Sequence, residues 1–355
     1  MPDRGVGAGG GSGLGLTAGA GARCRNGAAG IAESECPLRL SHVPWLRMTD
    51  PEIEITAELV HALLKDQHPD LAGLPIREVP GGWGNQMWRL GDELAVRMPR
   101  TEGAPDGLRK ECRWLPVLAP RLPLPIPTPV RIGEPSARFP GPWSVMTWVH
   151  GEPLDYTSIS RGDHAADTLA GFLRALHVEA PAEAPASSDR GGHPKKCTGG
   201  FEKSLQAIAP GGLAADVRAV WNVWDDAVAA PDWEGPPVWL HGDLHPANVV
   251  VSDGTLSGVV DFDAMFAGDP AWDLAAAWVL LPAGADSRFF EAYARADEAT
   301  VRRARGLAAL KSLFLILMGQ SGDRGLPGGK PTWGPAGRAA LDRVLTSLVH
   351  WPSPA

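Results

Sequence analysis

One stretch constrains this 355-residue chain more than any other: His241-Gly242-Asp243-Leu244-His245-Pro246-Ala247-Asn248-Val249-Val250, followed by Val259-Val260-Asp261-Phe262-Asp263. Asp243 and Asn248 stand five apart, and Asp261 returns after a hairpin-like connection. Short polar loops between apolar runs stay at the rim of a core while the runs bury themselves. Three carboxylates and an amide are thereby gathered at one rim. Asp and Asn are common turn residues, and a turn would explain either alone. It does not explain the whole set with its flanking apolar runs.

The remaining pattern divides around that stretch. Residues 55–64 read as a helix, and 76–79, 87–90 and 94–98 as strands of a small antiparallel sheet. Gly81-Gly82-Trp83-Gly84-Asn85-Gln86 forms the tight turn of the first hairpin and Gly91-Asp92 that of the second. A helix lies within 102–118, truncated by Pro116 and Pro120. Strands follow at 130–133 and 143–146. Beyond 154 the periodicity is helical: 166–177 puts Leu169, Phe172, Leu173 and Leu176 on one face, and helices are expected at 215–229, 286–298, 300–319 and 335–349. Leu313 to Met318 is the buried face of one of them, preceded by Lys311. The expected fold class is α+β and bilobal. A small antiparallel-sheet lobe spans 48–146, a linker 147–154, and a large, mainly helical lobe 155–355. Residues 1–47 begin in a Gly/Ala/Ser-rich run with little apolar surface to bury, which predicts disorder or an over-long start before Met48.

Composition narrows the function. The net charge is −8, against the basic surface that a nucleic-acid binder needs. Residues 1–150 are balanced, so the excess acid lies in 151–355 and is compatible with a cationic substrate. No run reaches the length of a membrane span. Cys24, Cys36, Cys112 and Cys197 show neither metal-ligand spacing nor a disulfide framework, which predicts a reduced, cytoplasmic setting. No obligate protein partner is expected.

Phosphoryl transfer to a hydroxyl requires charge neutralisation at the phosphates, an in-line acceptor and Mg²⁺. Asp243 suits the acceptor hydroxyl, which it can orient and deprotonate. Asn248 and Asp261 offer the hard oxygens that Mg²⁺ prefers. Asp263 could support the metal shell or line the acceptor pocket, and His245 could approach the substrate. Asp269 and Asp273 would cap the next helix and brace the loop, and His241 would bond to nearby backbone.

Together these residues resemble the aminoglycoside phosphotransferase family, antibiotic kinases related to the eukaryotic-type protein kinases. His241–Asn248 is similar to its HxDxxxxN loop. Asp261-Phe262-Asp263 resembles its DFG-type element with Asp263 in place of glycine, and Gly268-Asp269-Pro270 with Asp273-Leu274 is typical of it. The resemblance covers about residues 52–350. It implies Asp243 as catalytic aspartate, Asn248 and Asp261 as magnesium ligands, and Gly81, Gly82 and Gly84 as glycines of the nucleotide loop. Arg97 would stand where these kinases hold a phosphate-binding lysine, with Glu111 as its partner. Met146 and Val149 would meet the purine at the interlobe connection. Val96-Arg97-Met98-Pro99-Arg100 resembles the macrolide kinases in particular.

The resemblance implies ATP or GTP as co-substrate, Mg²⁺, and a small-molecule hydroxyl acceptor. The acids of the second half favour an aminoglycoside or related antibiotic, while the arginine pattern favours a macrolide. Other metabolite alcohols and a non-catalytic nucleotide-binding pseudokinase are the alternatives. A protein kinase is disfavoured by the few residues between Asp261 and the Asp269-Pro270 turn.

Overall fold

The computed structural model describes residues 54–347 apart from 80–83, 101–103, 188–189, 209–210 and 214. The expectations for residues 1–47 and for Gly81 and Gly82 lie outside these. Helix α1 (Ala57–Gln67) starts where Thr56 Oγ1 accepts the Leu59 amide, and it buries Val60, Leu63 and Leu64. Strands β1 (Ile76–Val79), β2 (Asn85–Leu90) and β3 (Leu94–Pro99) are followed by α2 (Ala104–Leu118), then β4 (Pro129–Gly133) and β5 (Trp143–Thr147). They form one five-stranded antiparallel sheet in the order β1-β2-β3-β5-β4.

Two local expectations need correction. Asn85 and Gln86 belong to strand β2, paired with Pro99 and Met98, rather than to the turn. Pro116 does not truncate its helix: α2 runs through it to Leu118, and Leu108, Leu115 and Leu118 are buried along the way. Proline this close to a helix end forfeits one backbone hydrogen bond, and the burial of that face outweighs the loss.

After β5 the chain pairs with the second lobe at once, because β6 (Glu152–Pro153) joins a sheet with β8 (Val249–Ser252) and β9 (Thr255–Val259). Helices α3 (Gly162–Leu176), α4 (Thr198–Ala207) and α5 (Val217–Ala229) precede a second ribbon, in which β7 (Val238–Leu240) pairs with β10 (Phe266–Gly268). Then come α6 (Ala271–Leu274), α7 (Ala276–Val279), α8 (Asp286–Tyr293), α9 (Glu298–Asp323) and α10 (Trp333–Thr346). The predicted face of α3 is realised, with Leu169, Phe172, Leu173 and Leu176 fully buried. The two ribbons carry the polar loops: β7 leads into His241, β8 follows Asn248, β9 precedes Asp261, and β10 closes the set.

Helices α9 and α10 meet along glycines. A Cβ on Gly319 would come 2.2 Å from Gly334 Cα, and one on Gly337 would come 2.8 Å from the Ile316 nitrogen. Backbone faces backbone here, so no rotamer change can make room. Gly319→Val should therefore push the helices apart at an overpacking cost of roughly 1–3 kcal/mol. A Tm equal to that of the parent chain in a calorimetric scan would show that the seam yields freely.

Candidate active site

The catalytic-loop candidates are held by a buried carboxylate. Asp273, fully buried on α6, accepts the amides of His241 (2.7 Å) and Gly242 (2.9 Å). His177 Nε2 stands 3.4 Å from the same carboxylate. Asp269 caps the following turn at Ala271 N and forms a buried ion pair with Arg303 at 2.8 Å. The His241 ring ties two loops together, its Nδ1 accepting from Asp243 N (3.2 Å) and its Nε2 donating to the Val260 carbonyl (2.9 Å). These bonds fix its tautomer, and burial pulls its pKa below the usual imidazole value.

Asp243 emerges from this frame into a cavity of about 1580 Å³ between sheet and helices. Its side chain is 44% exposed to that space. Burial opposes its charge, but His245, Arg190 and Lys311 outweigh burial and hold the carboxyl far below the usual carboxylate range. His245 Nε2 stands 3.6 Å from Asp243 Oδ2, and its ring lies 4.6 Å from that of Trp333. His245 thus spans from the Asp243 carboxylate to the α10 wall. Asn248 donates its amide to the Asp243 carbonyl (3.0 Å), which leaves its side-chain oxygen as the available ligand atom.

Asp261 adopts a left-handed backbone, φ 65° and ψ 69°. Such strain at a non-glycine residue costs of order 1–3 kcal/mol and needs firm surroundings. Here the surroundings are the Val260 amide on the Asn248 carbonyl (2.9 Å) and His241 on the Val260 carbonyl. The guanidinium of Arg97 meets Asp261 at 2.9 Å and Asp263 at 3.4 Å, and pairs with fully buried Glu111 behind. Asn85 contributes its side-chain oxygen, accepting from Arg97 Nη2 (2.8 Å) and Nε (3.1 Å) in the amide orientation that satisfies both residues. Burial works against the charge on Arg97, and the three carboxylates more than restore it.

Three carboxylates around one guanidinium leave excess negative charge, which suits a divalent cation. Among the described residues no three or more His, Cys, Asp or Glu side chains are grouped to hold a metal. An ion bound by Asp261 and the Asn248 oxygen would therefore complete its shell with water and phosphate oxygens, the habit of Mg²⁺.

The cavity brings together most of the residues singled out in the sequence. Gly84, Arg97, Met146, Val149, Asp243, His245, Asn248, Asp261 and Asp263 all line it, with Glu111 directly behind Arg97. At the interlobe turn, the amides of Thr147 and Trp148 are already committed to Thr128 O and Glu93 O. Among the lining residues that the sequence did not single out for the site are Asn85, Arg190 and Lys311. Lys311 alone had a local signal, since it shares a helical face with Leu307 and Leu315 and is drawn inward with them. Its ammonium lies 3.4 Å from the Leu244 carbonyl, and burial pulls its pKa down against the attraction of Asp273 and Asp243.

Sheet lobe, helical lobe and the cleft between them define a kinase-like phosphotransferase fold. The chain belongs to the phosphotransferase enzyme family, whose sequence model matches residues 75–307. Solved structures share the architecture at low identity. The GDP complex of wild-type aminoglycoside 2'-phosphotransferase-IIIa is 19% identical, with a TM-score of 0.56 over 81% of this chain and 97% of that one. The GDP and kanamycin complex of APH(2")-IIIa is 19% identical, with a TM-score of 0.57 over 80% and 97%. The apoenzyme of macrolide 2'-phosphotransferase MphH from Brachybacterium faecium is 24% identical, with a TM-score of 0.52 over 79% and 98%. No curated protein sequence matches the chain.

The acid cluster predicts a pH signature. Burial and the neighbouring Asp261 carboxylate, opposed by Arg97, push Asp263 up from 3.8 to about 7. Between those values the folded chain keeps a proton that the unfolded chain releases. Stability therefore falls as pH rises through the window, and the penalty is complete above about pH 7. In chelator without nucleotide, Asp263→Asn should raise the Tm at pH 8 by more than at pH 5. An equal change at both pH values would remove the basis for this shift.

Proposed function

We propose that the protein is a small-molecule kinase, transferring the γ-phosphoryl group of ATP or GTP to an acceptor hydroxyl. The observation that carries this reading is the convergence of Asp243, Asn248, Asp261 and Arg97 on one cavity. At about 1580 Å³ that cavity exceeds the few hundred to roughly 1,000 Å³ of a one-ligand pocket and leaves room for donor and acceptor together. The nucleotide lies in the 48–146 lobe, where Gly84 lines the cavity and Gly81 and Gly82 are the other glycines expected to contact it. Its base packs on Met146 and Val149 at the 147–154 linker, and Arg97, steadied by Glu111, faces its phosphates. Asn248 and Asp261 would hold Mg²⁺, which neutralises phosphate charge when bound. Asp243 accepts a hydrogen bond from the acceptor hydroxyl and takes its proton as the new O–P bond forms. The structures of relatives with GDP support a purine nucleotide without choosing between ATP and GTP.

The acceptor faces α9 and α10 in the 155–355 lobe. Its wall presents Leu310, Phe314, Met318 and Trp333, together with Lys311 and Lys330. Asp155 is an acid beside this wall, and its Oδ2 already accepts from Trp333 Nε1 at 3.1 Å. Four acids of the second half pair with its own bases away from this wall: Asp167 with Arg288, Asp226 with Arg302, Asp232 with Lys195 and Asp269 with Arg303. An apolar, lysine-bearing wall favours a bulky acceptor with few amines, such as a macrolide, over a polycationic aminoglycoside. A reduced, cytoplasmic setting suits a nucleotide-consuming enzyme, and Cys112 and Cys197 form no disulfide. No helix of the described residues is long and apolar enough to cross a membrane.

Nucleoside diphosphate release should be measured with Mg-ATP and Mg-GTP across macrolides, aminoglycosides and small metabolic alcohols. The expected result is acceptor-dependent release that Asp243→Asn lowers by about 10²–10⁴-fold. Stronger turnover of aminoglycosides than of macrolides would reverse the acceptor preference. Release that ignores every acceptor, or survives Asp243→Asn, would contradict the kinase reading.

A further inference from the structure

The loop between α3 and α4 sends a cation to the candidate reaction centre. Arg190 Nη1 stands 3.8 Å from Asp243 Oδ1, and the Arg190 side chain is one-third exposed (33%) to the cavity. Nothing local marks this residue, which sits in a Pro/Ser/Gly-rich stretch, but its position is built. Ahead of it, Ala267 N donates to the Pro185 carbonyl (2.8 Å), and Ala186 bridges Ala267 in parallel. The Arg190 amide donates to Ser187 Oγ at 3.0 Å. Behind it, Asp269 N donates to Gly191 O (3.0 Å) and Trp272 Nε1 to Gly192 O (2.9 Å). Gly191 has φ 78°, and a Cβ there would fall 2.3 Å from the Phe266 ring, so glycine permits this close docking. The loop is thus fastened on both sides of Arg190 to the β10–α6 segment that also braces the Asp243 loop.

Charge around Arg190 contrasts with charge around Arg97. Arg97 is enclosed by Glu111, Asp261 and Asp263, so much of its charge is already neutralised. Arg190 has Asp243 as its carboxylate contact, while Lys110 and Lys311 stand near enough to feel its repulsion. Arg190 from the loop and Lys311 from α9 both line the cavity with Asp243 and leave an anion-accepting spot beside that carboxylate. Phosphoryl transfer spreads charge over three equatorial oxygens and gains from a preorganised guanidinium beside them.

We infer that Arg190 is a catalytic residue, the cation that contacts the transferring phosphoryl group. The inference rests on the kinase reading. When the acceptor hydroxyl engages Asp243, the guanidinium turns from that carboxylate to the phosphoryl oxygens. The acceptor oxygen then bonds to the γ-phosphorus while its proton goes to Asp243. The bond from that phosphorus to the β,γ-bridging oxygen breaks, and its electron pair leaves on the nucleoside diphosphate.

A guanidinium of this kind grips the transition state more than the ground state, which gives a binding test independent of any acceptor. Mg-ADP and Mg-GDP are titrated into the full chain by calorimetry, with and without aluminium fluoride as the phosphoryl mimic. The parent chain and Arg109→Ala, a control at an exposed side chain of α2, should bind the nucleotide more tightly with fluoride. Arg190→Ala should bind the plain Mg-diphosphate within about threefold of the parent, yet lose most of the tightening, on the order of 10²-fold or more. Arg190→Lys should recover part of it. Undiminished tightening in Arg190→Ala, or none in a parent chain that binds the diphosphate, overturns the assignment. A parent chain that binds neither diphosphate overturns the kinase reading itself.

Discussion

The guanidinium of Arg97 is the pivot on which the rest of the cleft depends. It leaves the sheet from β3, meets Glu111 from α2, and reaches Asp261 and Asp263 below the strands of the second lobe. A buried charge is tolerated only with its partners in place, and stripping a partner from such a pair costs roughly 3–5 kcal/mol. Apolar packing joins the two lobes beside this ionic contact. Leu115, Leu118, Leu124, Ile126 and Met146 of residues 48–146 belong to the core around α3, α5 and α9, while a second core gathers Trp88, Val96 and Trp143. Trp114 on α2 lies 4.9 Å from Trp239, ring to ring, so the ionic contact sits within a packed seam.

What could be read in the sequence follows from the range of the interactions involved. The 241–263 stretch is compact, its turn chemistry is local, and its side chains keep together after folding. Arg97 and Glu111 were found by a family pattern, and the ion pair is there. Asn85 was concealed by the glycines before it, which made the strand start look like turn. Pro116 was weighed as a helix breaker because propensity is local, whereas the buried Leu108, Leu115 and Leu118 that hold the helix act through tertiary contacts. Arg190 could not be read at all. Its loop is fastened by backbone bonds to residues some eighty positions away, and no periodicity records that.

Net charge is too coarse to choose an acceptor. The surplus of acid beyond residue 150 is compatible with a cationic acceptor, but several carboxylates of that half close structural pairs or cap helices away from the cavity. Composition counts charges without saying which way they face. The wall of α9 and α10 turned toward the cavity is instead apolar with lysines. Lys311 illustrates the difference. It is one cation in a hydrophobic helix, and its value lies in being half-buried near Asp243 and the Leu244 carbonyl.

The glycine seam between α9 and α10 separates two kinds of evolutionary freedom. Because the helices touch through backbone at Gly319, Gly334 and Gly337, their spacing owes little to the side chains they present to the cleft. Phe314 and Trp333 project from helices whose positions are fixed independently of them. Phe314 can therefore vary without moving the seam, whereas Trp333 also meets His245 of the loop that Asp273 braces, 4.6 Å between rings, so a change there reaches that loop. On the proposed acceptor reading, drift at Phe314 would be gradual, whereas a change at the seam would be tolerated only together with a compensating change on the facing helix.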